Sequence, residues 1–156
     1  MEILDFIKIF LLSALPILEI RGALPIGVFI FKKSLILSFI FSFLGNVFSV
    51  FLILVFLEKT IFYLKNFSLF KEFILWREKK AKPLIEKYGK WGLLFFVALP
   101  LPFTGGWTGS LISIIFGLNF KESFFIICLG IFIAGLIVTF LSCFFGITTK
   151  ANFTIF

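Results

Sequence analysis

Two long apolar runs constrain the fold of this chain more than any other feature. Residues 34–57 and 123–149 contain no charged residue and no proline. A helix that crosses the hydrocarbon core of a bilayer needs about 20 such residues. Each run therefore predicts one complete transmembrane helix.

The composition of the whole chain agrees with this interpretation. Its 156 residues are 61% hydrophobic and 15% charged, whereas soluble domains are about half apolar and about a quarter charged. A soluble fold of this size could not bury so much apolar surface. We therefore predict one all-α integral membrane domain over residues 1–156, multi-pass, in a cytoplasmic membrane of the bacterial type.

Two further apolar segments are broken. The charges of "EIRG" at 19–22 separate two uncharged runs of ten residues each, 9–18 and 22–31. As a helix, each run is about 15 Å long, half of the hydrocarbon thickness. The apolar run 91–120 contains "LPLPFTGGWTG" at its centre. This stretch is expected to break a helix, because prolines remove backbone donors and glycines make the backbone flexible. We interpret each segment as a re-entrant hairpin of two half-helices, and the alternative is a single kinked span.

The order of these elements repeats along the chain. The sequence "ALP" occurs at 14–16 and at 98–100. Glycines follow at corresponding positions, Gly22, Gly45, Gly106 and Gly130. Each half, 1–57 and 91–150, runs from a broken segment through a short charged joint to a long helix. One hairpin and one crossing per half predict an inverted repeat, in which matched broken helices indicate a transport site.

Residues 58–90 form the predicted linker between the halves. They contain nine Lys or Arg and four Glu, a net charge of 9 − 4 = +5. The pattern predicts an amphipathic helix on the membrane surface. By the positive-inside rule this linker is cytoplasmic. If both broken segments are re-entrant hairpins, both termini then lie on the other face of the membrane. If residues 3–31 instead span once, the N-terminus is cytoplasmic. The linker has no nucleic-acid-binding motif, so we predict no nucleic-acid partner.

The first broken segment carries Glu19 and Arg21. Ionisable groups in a bilayer cost a few kcal/mol each, so they persist when paired, hydrated or functional. Two residues apart, they do not share one helix face, so either the backbone is irregular or each meets a partner elsewhere. Glu19 is the predicted proton or cation site, since burial favours its neutral form, and Arg21 is the predicted anion site. The alternative is a buried ion pair that only fixes the hairpin.

The second broken segment, residues 100–110, has no ionisable group. A half-helix that starts near Thr108 would direct its N-terminal amides into a cavity, which favours an anionic group beside Arg21. The alternative is tight helix packing through small residues. The predicted lining of the cavity is Gly22, Pro25, Pro100, Pro102, Thr104, Gly105, Gly106, Trp107, Thr108 and Ser110.

Several kinds of chemistry are not expected. The chain has no histidine, which removes imidazole relays and histidine metal sites. Cys128 and Cys143 lie 15 residues apart in one apolar run, about 22 Å along a helix and too far for a disulfide. The sequence has no G-x-S-x-G, H-E-x-x-H or P-loop motif. We therefore predict no enzyme activity, no metal and no cofactor.

Two sequence blocks carry a resemblance to a known family. "SALPILEIRGALPIG" and "YGKWGLLFFVALPLPFTGGWTGSLIS" resemble the signature blocks of the small multidrug export protein family, a distant relative of the DedA superfamily. Phe103 stands where the family pattern more often has glycine. The resemblance implies paired re-entrant hairpins in an inverted repeat, transport of small molecules or lipid phosphates, and roles for Glu19 and Arg21. DedA members usually carry ionisable residues in the second hairpin, and this chain has none there.

These observations together predict a small polytopic transporter. Its cargo would be a small molecule or a lipid-phosphate head group, and Glu19 would couple transport to protons. The alternative is a non-transporting structural or assembly protein in which Glu19 and Arg21 only hold the hairpin. The expected partners are membrane lipid and a second copy of the chain, because two spans and two hairpins make a thin wall around a cavity.

Overall fold

The computed structural model describes residues 2–64, 88–101 and 104–148, and every regular element in those ranges is helical. The first half contains α1 (Glu2–Ala14), α2 (Glu19–Pro25), a π-helix (Ile26–Ile30) and α3 (Leu35–Leu64). The second half contains α4 (residues 88–98), α5 (Gly106–Ile115) and α6 (Phe120–Thr148). The predicted all-α class is confirmed for the described part of the chain.

The two long helices are the predicted apolar ones. Leu35–Thr60 in α3 and Phe120–Phe144 in α6 are long and apolar enough to cross a membrane, as expected for runs without charge or proline. The outer faces of these helices carry large apolar side chains, among them Phe56, Phe125 and Phe140. Such faces suit a lipid environment rather than water.

The α2 helix and the π-helix return along α1. A Cβ added at Gly27 would come within 2.9 Å of Ile9 Cδ1, and Lys33 Nζ lies 3.1 Å from Asp5 Oδ2. Since residue 27 lies beside residue 9 and residue 33 beside residue 5, this part of the chain is a helical hairpin. We call residues 15–18 its tip, the first tip, and the Asp5–Lys33 pair its base.

The break in the first hairpin lies earlier than the sequence indicates. The α1 helix ends before Pro16, and α2 begins at Glu19, so the ionisable residues follow the break instead of flanking it. Pro25, a predicted lining residue of the cavity, is the last residue of α2. Proline lacks the backbone donor of a regular helix, and the wider π-helix follows it directly.

The α4 and α5 helices form a second hairpin. A Cβ added at Gly109 would lie 2.6 Å from Val97 Cγ2, and Lys90 Nζ bonds to Glu122 Oε1 at the base. Residues 99–105, of which 102 and 103 lie outside the described residues, form the second tip. Each hairpin thus has at its base an ion pair from its first helix, to Lys33 just before α3 in the first half and to Glu122 in the first turn of α6 in the second.

Two of the four glycines of the repeat, Gly45 and Gly130, lie where each long helix crosses the first helix of its own hairpin. A Cβ at Gly45 of α3 would come within 2.2 Å of the Phe10 carbonyl oxygen in α1. A Cβ at Gly130 of α6 would come within 2.7 Å of Val97 Cβ in α4. The two halves therefore share an order of elements and a close crossing in each.

The main core joins both halves. Its buried members come from α2, α3, α4 and α6: Ile20, Val50, Leu54, Leu93, Val97, Ile127 and Ile131. The predicted linker is described only at its two ends, because 58–64 continue α3, 88–90 belong to α4, and 65–87 lie outside the described residues. The core therefore joins the two hairpins to the long helices.

Candidate functional site

Glu19 connects the two hairpin tips. It has a φ of 47°, a left-handed conformation that costs an L-residue about 1–2 kcal/mol, and only 6% of it is exposed. The Trp107 N–H donates to Glu19 Oε1 at 3.2 Å, and the Gly106 amide faces the same carboxylate. The carboxylate therefore lies at the N-terminus of α5, where unpaired amides and the positive end of the helix dipole stabilise an anion.

Gly105 makes room for this contact. A Cβ added there would lie 1.9 Å from Glu19 Oε2 and 2.6 Å from Glu19 Cδ. Real Cβ atoms do not approach other heavy atoms so closely, so any side chain at position 105 displaces the carboxylate. Gly105, the first glycine in "TGG", is therefore required by Glu19, a residue far away in the sequence.

Arg21 binds the other half of the second hairpin. Its Nη1 donates to the Leu101 carbonyl and its Nη2 to the Val97 carbonyl at 3.2 Å. Carbonyls at the C-terminal end of a helix lack intrahelical partners, and a cation there complements the helix dipole. Arg21 therefore holds the end of α4 while Glu19 holds the start of α5.

Of the two alternatives, separate partners for Glu19 and Arg21 are confirmed, and the backbone is irregular at Glu19 while Arg21 lies inside α2. One expectation needs correction. The α5 helix begins at Gly106, two residues before the predicted start near Thr108. The anion at its N-terminus is the carboxylate of the protein itself, where the sequence suggested a bound ligand.

Two further side chains satisfy the backbone at the breaks. The Trp107 indole Nε1–H donates to the carbonyl of Ala14, the last residue of α1, at 3.2 Å. The Thr104 hydroxyl lies 2.7 Å from the Leu99 carbonyl and 2.9 Å from the Leu101 carbonyl. Buried backbone groups outside regular helices require such partners.

A cavity of about 680 Å³ lies between the two tips. It is lined by Pro16, Ile17, Leu18, Glu19, Arg21, Gly22, Pro100, Leu101, Thr104, Trp107, Thr108 and Leu111. Its volume falls in the range of small-molecule sites, about 300–1,000 Å³. The wall is mostly apolar and carries one carboxylate and one guanidinium, an arrangement that fits an amphipathic molecule.

The structure brings most of the predicted residues to this cavity. Those that line it are Glu19, Arg21, Gly22, Pro100, Thr104, Trp107 and Thr108.

Gly105 and Gly106 are buried beside the Glu19 carboxylate and do not line the cavity. Ser110 is buried within α5, where its hydroxyl donates to the Gly106 carbonyl at 2.7 Å. Pro25 lies inside α2 and off the lining, and Pro102 lies outside the described residues.

Some lining residues were absent from the predicted set: Pro16, Ile17, Leu18, Leu101 and Leu111. Pro16 corresponds to Pro100 in the "ALP" repeat, so the repeat contained a signal for it. Leu111 follows Trp107 by four residues and shares its helix face. Ile17, Leu18 and Leu101 are apolar residues in apolar sequence, and nothing local distinguishes them.

Comparison with known proteins agrees with the resemblance of the two sequence blocks. A family model described as "Putative small multi-drug export protein" matches residues 19–137, which is more than half of the chain. The match begins at Glu19 and includes both ionisable residues of the cavity. Comparison with curated proteins finds no match, and comparison with solved structures finds none. With its two apolar helices, the chain is a membrane protein and belongs to the family of small multidrug export proteins.

Proposed function

We propose that this protein is a small membrane transporter that binds an amphipathic molecule with an anionic head group between its hairpin tips. The observation that carries the proposal is the position of Glu19 and Arg21, which line the cavity and also join the tips. A change in either contact therefore changes the cavity. The family description supports export of small molecules, and the resemblance to DedA proteins supports a lipid phosphate as the cargo.

The proposal places both hairpins as re-entrant elements of an inverted repeat, with the linker on the cytoplasmic side. In support, α1 has 13 residues and α5 has 10, about 20 and 15 Å of helix. Both are shorter than the hydrocarbon core of about 30 Å. Half-helices of this length reach the middle of a bilayer from one face and return.

Arg21 is the proposed binding group for the cargo. Its two bonds go to neutral carbonyl oxygens, so they orient the guanidinium without removing its positive charge. An anionic head group beside it gains a charge-assisted bond in a poorly hydrated site. The apolar side chains of Ile17, Leu18 and Leu111 would contact the hydrocarbon part of the cargo.

Glu19 is the proposed coupling group. As a carboxylate it accepts from the first amides of α5 and complements the dipole of that helix, and protonation removes the charge on which both interactions depend. Proton binding would therefore weaken the contact between α2 and α5 and let the tips separate. Arg21 stays cationic throughout and keeps its hold on α4.

Transport in liposomes tests this mechanism. We expect the wild-type protein to move dodecyl phosphate faster than empty liposomes do when a pH gradient is imposed. Glu19→Gln can still accept from the Trp107 amide but cannot ionise, so its transport should be at least about tenfold slower and insensitive to the gradient. Glu58→Gln, which changes an exposed glutamate of α3, is the matched control and should behave as wild type.

The other outcomes have definite meanings. If neither dodecyl phosphate nor a cationic dye crosses faster with the wild type than with empty liposomes, the protein is no transporter. If only the dye crosses, the cargo is a cation and the role of Arg21 is wrong. Equal transport by the wild type and Glu19→Gln would make Glu19 a structural residue.

One observation favours a second candidate function, a structural or assembly protein. Glu19 and Arg21 both bond backbone groups of the second hairpin, and a purely structural role would require such bonds. In that case Glu19→Gln and Arg21→Gln would lower thermal stability in detergent, while the wild type would show no transport to lose.

A homodimer is also part of the proposal, since a second copy would complete the thin wall around the cavity. Crosslinking in native membranes with a lysine-reactive reagent should give a band of twice the monomer mass. The band should disappear after solubilisation in a denaturing detergent before crosslinking. Monomer alone in intact membranes would argue against the dimer.

A further inference from the structure

The α3 helix carries a row of polar side chains inside the apolar core. Ser38, Ser42 and Asn46 follow one another at four-residue steps on one helix face, and all three are 0% exposed. Both serine hydroxyls and both polar atoms of the Asn46 amide have no hydrogen-bond partner among the described residues. Buried polar groups in proteins are hydrogen-bonded as a rule, so this row indicates a bound species that satisfies them.

Helix packing alone does not account for these polar residues. The α6 helix starts 85 residues after α3, and 85 residues beyond Ser42 and Asn46 stand Ile127 and Ile131, whereas Ser123, a buried serine, stands 85 residues beyond Ser38. Both isoleucines are buried in the main core. The places of Ser42 and Asn46 are thus filled by hydrocarbon in the second long helix, so the polarity of α3 at these two positions needs another cause.

The chemistry of the unpaired atoms selects the bound species. The Asn46 amide offers two donors at Nδ2 and an acceptor at Oδ1. A metal cation would satisfy only the oxygen and an anion only the nitrogen, whereas water both donates and accepts. Four residues of helix rise about 6 Å, close to the length of two O–H···O bonds of about 2.8 Å each. One water molecule can therefore bridge each neighbouring pair.

The two ends of the row lie beside features already described. At one end, a Cβ on Gly106 would lie 2.9 Å from Asn46 Oδ1, and the amide of Gly106 faces the Glu19 carboxylate. At the other end, a Cβ on Gly27 would lie 2.7 Å from Ser38 Oγ. Ser38 is one turn into α3, just after the Lys33 that pairs with Asp5. The row thus runs from the base of the first hairpin to the start of α5.

We propose that Ser38, Ser42 and Asn46 hold a file of water molecules along which protons reach Glu19 from the base of the first hairpin. This inference rests on the proposed function, in which Glu19 takes up a proton. Each water in the file accepts one proton and passes on another, so the carboxylate gains one proton and bulk water at the hairpin base loses one. With a cytoplasmic linker, that base faces the other side of the membrane.

Radiolytic labelling of the full chain in detergent tests the water file directly. A synchrotron X-ray pulse produces hydroxyl radicals from bound water, and mass spectrometry locates the oxidised side chains nearby. Val50 is buried beside Gly106, and we expect it to be labelled in the wild type and several-fold less in Asn46→Leu. Ser113→Ala is the matched control, since that buried hydroxyl already donates to the Ser110 carbonyl at 2.7 Å.

Proteoliposomes test the proton route. Asn46→Leu and the milder Ser42→Ala should slow proton uptake, read by an internal pH dye, and pH-driven transport by about tenfold. Binding of dodecyl phosphate should stay at the wild-type level in both variants. It is measured by Trp107 fluorescence in a background with Trp76→Phe and Trp91→Phe.

The outcomes separate this inference from the proposed function. An unlabelled Val50 in the wild type overturns the water file whether or not the protein transports. A labelled Val50 together with wild-type proton uptake in Asn46→Leu and Ser42→Ala overturns the route. Labelling of Val50 without any transport by the wild type overturns the proposed function and the route, and the file of bound water then stands alone.

Discussion

Gly105→Ala should separate the hairpin tips and abolish transport. The new Cβ would lie 1.9 Å from Glu19 Oε2 and 2.7 Å from Oε1, so the carboxylate must leave the N-terminus of α5. A buried charge that loses its partners costs about 3–5 kcal/mol. We therefore expect a fall of that size in the free energy of unfolding, measured by denaturant titration in detergent.

A double-mutant cycle identifies the cause of that loss. In a Glu19→Ala background the clashing atoms are gone, so Gly105→Ala should cost about 2–3 kcal/mol less than it does in the wild type. Gly22→Ala is the control, since its Cβ meets the flexible end of Leu18 at 2.8 Å and should change stability by less than about 1 kcal/mol. Additive costs in the cycle would show that some group other than the carboxylate opposes the new methyl.

Gly45→Ala is the second change with a large expected effect. The added Cβ would lie 2.2 Å from the Phe10 carbonyl oxygen and 2.9 Å from its carbon. A backbone cannot rotate away as a side chain can, so α1 must move off α3, at a cost of about 1–3 kcal/mol or more. Because α1 also carries Asp5, the ion pair at the base of the first hairpin should open.

Stability and accessibility measure this displacement. Gly45→Ala should unfold at lower denaturant concentration than wild type, and a cysteine placed at Ile9, which is fully buried, should react with a water-soluble maleimide only in the variant. Leu44→Ala, on the exposed face of the same turn, is the control, because lipid replaces leucine at little cost. Unchanged stability of Gly45→Ala would mean that α1 can shift without loss of packing.

Local sequence was sufficient for the long helices and for the second break. The length and hydropathy of a run are properties of neighbouring residues, and they predicted α3 and α6. The prolines and glycines between Pro100 and Gly106 act on their own backbone, so they predicted the second tip. The first break lies at Pro16 and not beside the charges at 19 and 21, and the chain stays helical past Pro25 because a π-helix follows it.

The partners of the ionisable residues depend on tertiary structure. The two-residue spacing of Glu19 and Arg21 indicated that they do not pair along a helix, and that interpretation holds. Their partners lie 88 and 76 residues away, in α5 and α4, and residues 91–120 contain no charge. Backbone amides and carbonyls exist at every position, and only the packing of the tips selects which of them the side chains reach.

The sequence by itself thus determined an all-helical membrane chain with two long helices and two broken segments, because hydropathy, proline and charge act locally. Tertiary structure alone decided that the Glu19 carboxylate holds the start of α5 and the Arg21 guanidinium holds the end of α4. It also decided which serines of α3 are buried without partners, since Ser38 and Ser42 look like any other small polar residue in an apolar run. Burial and hydrogen bonding depend on what the other helices place beside a residue, and no local pattern contains that information.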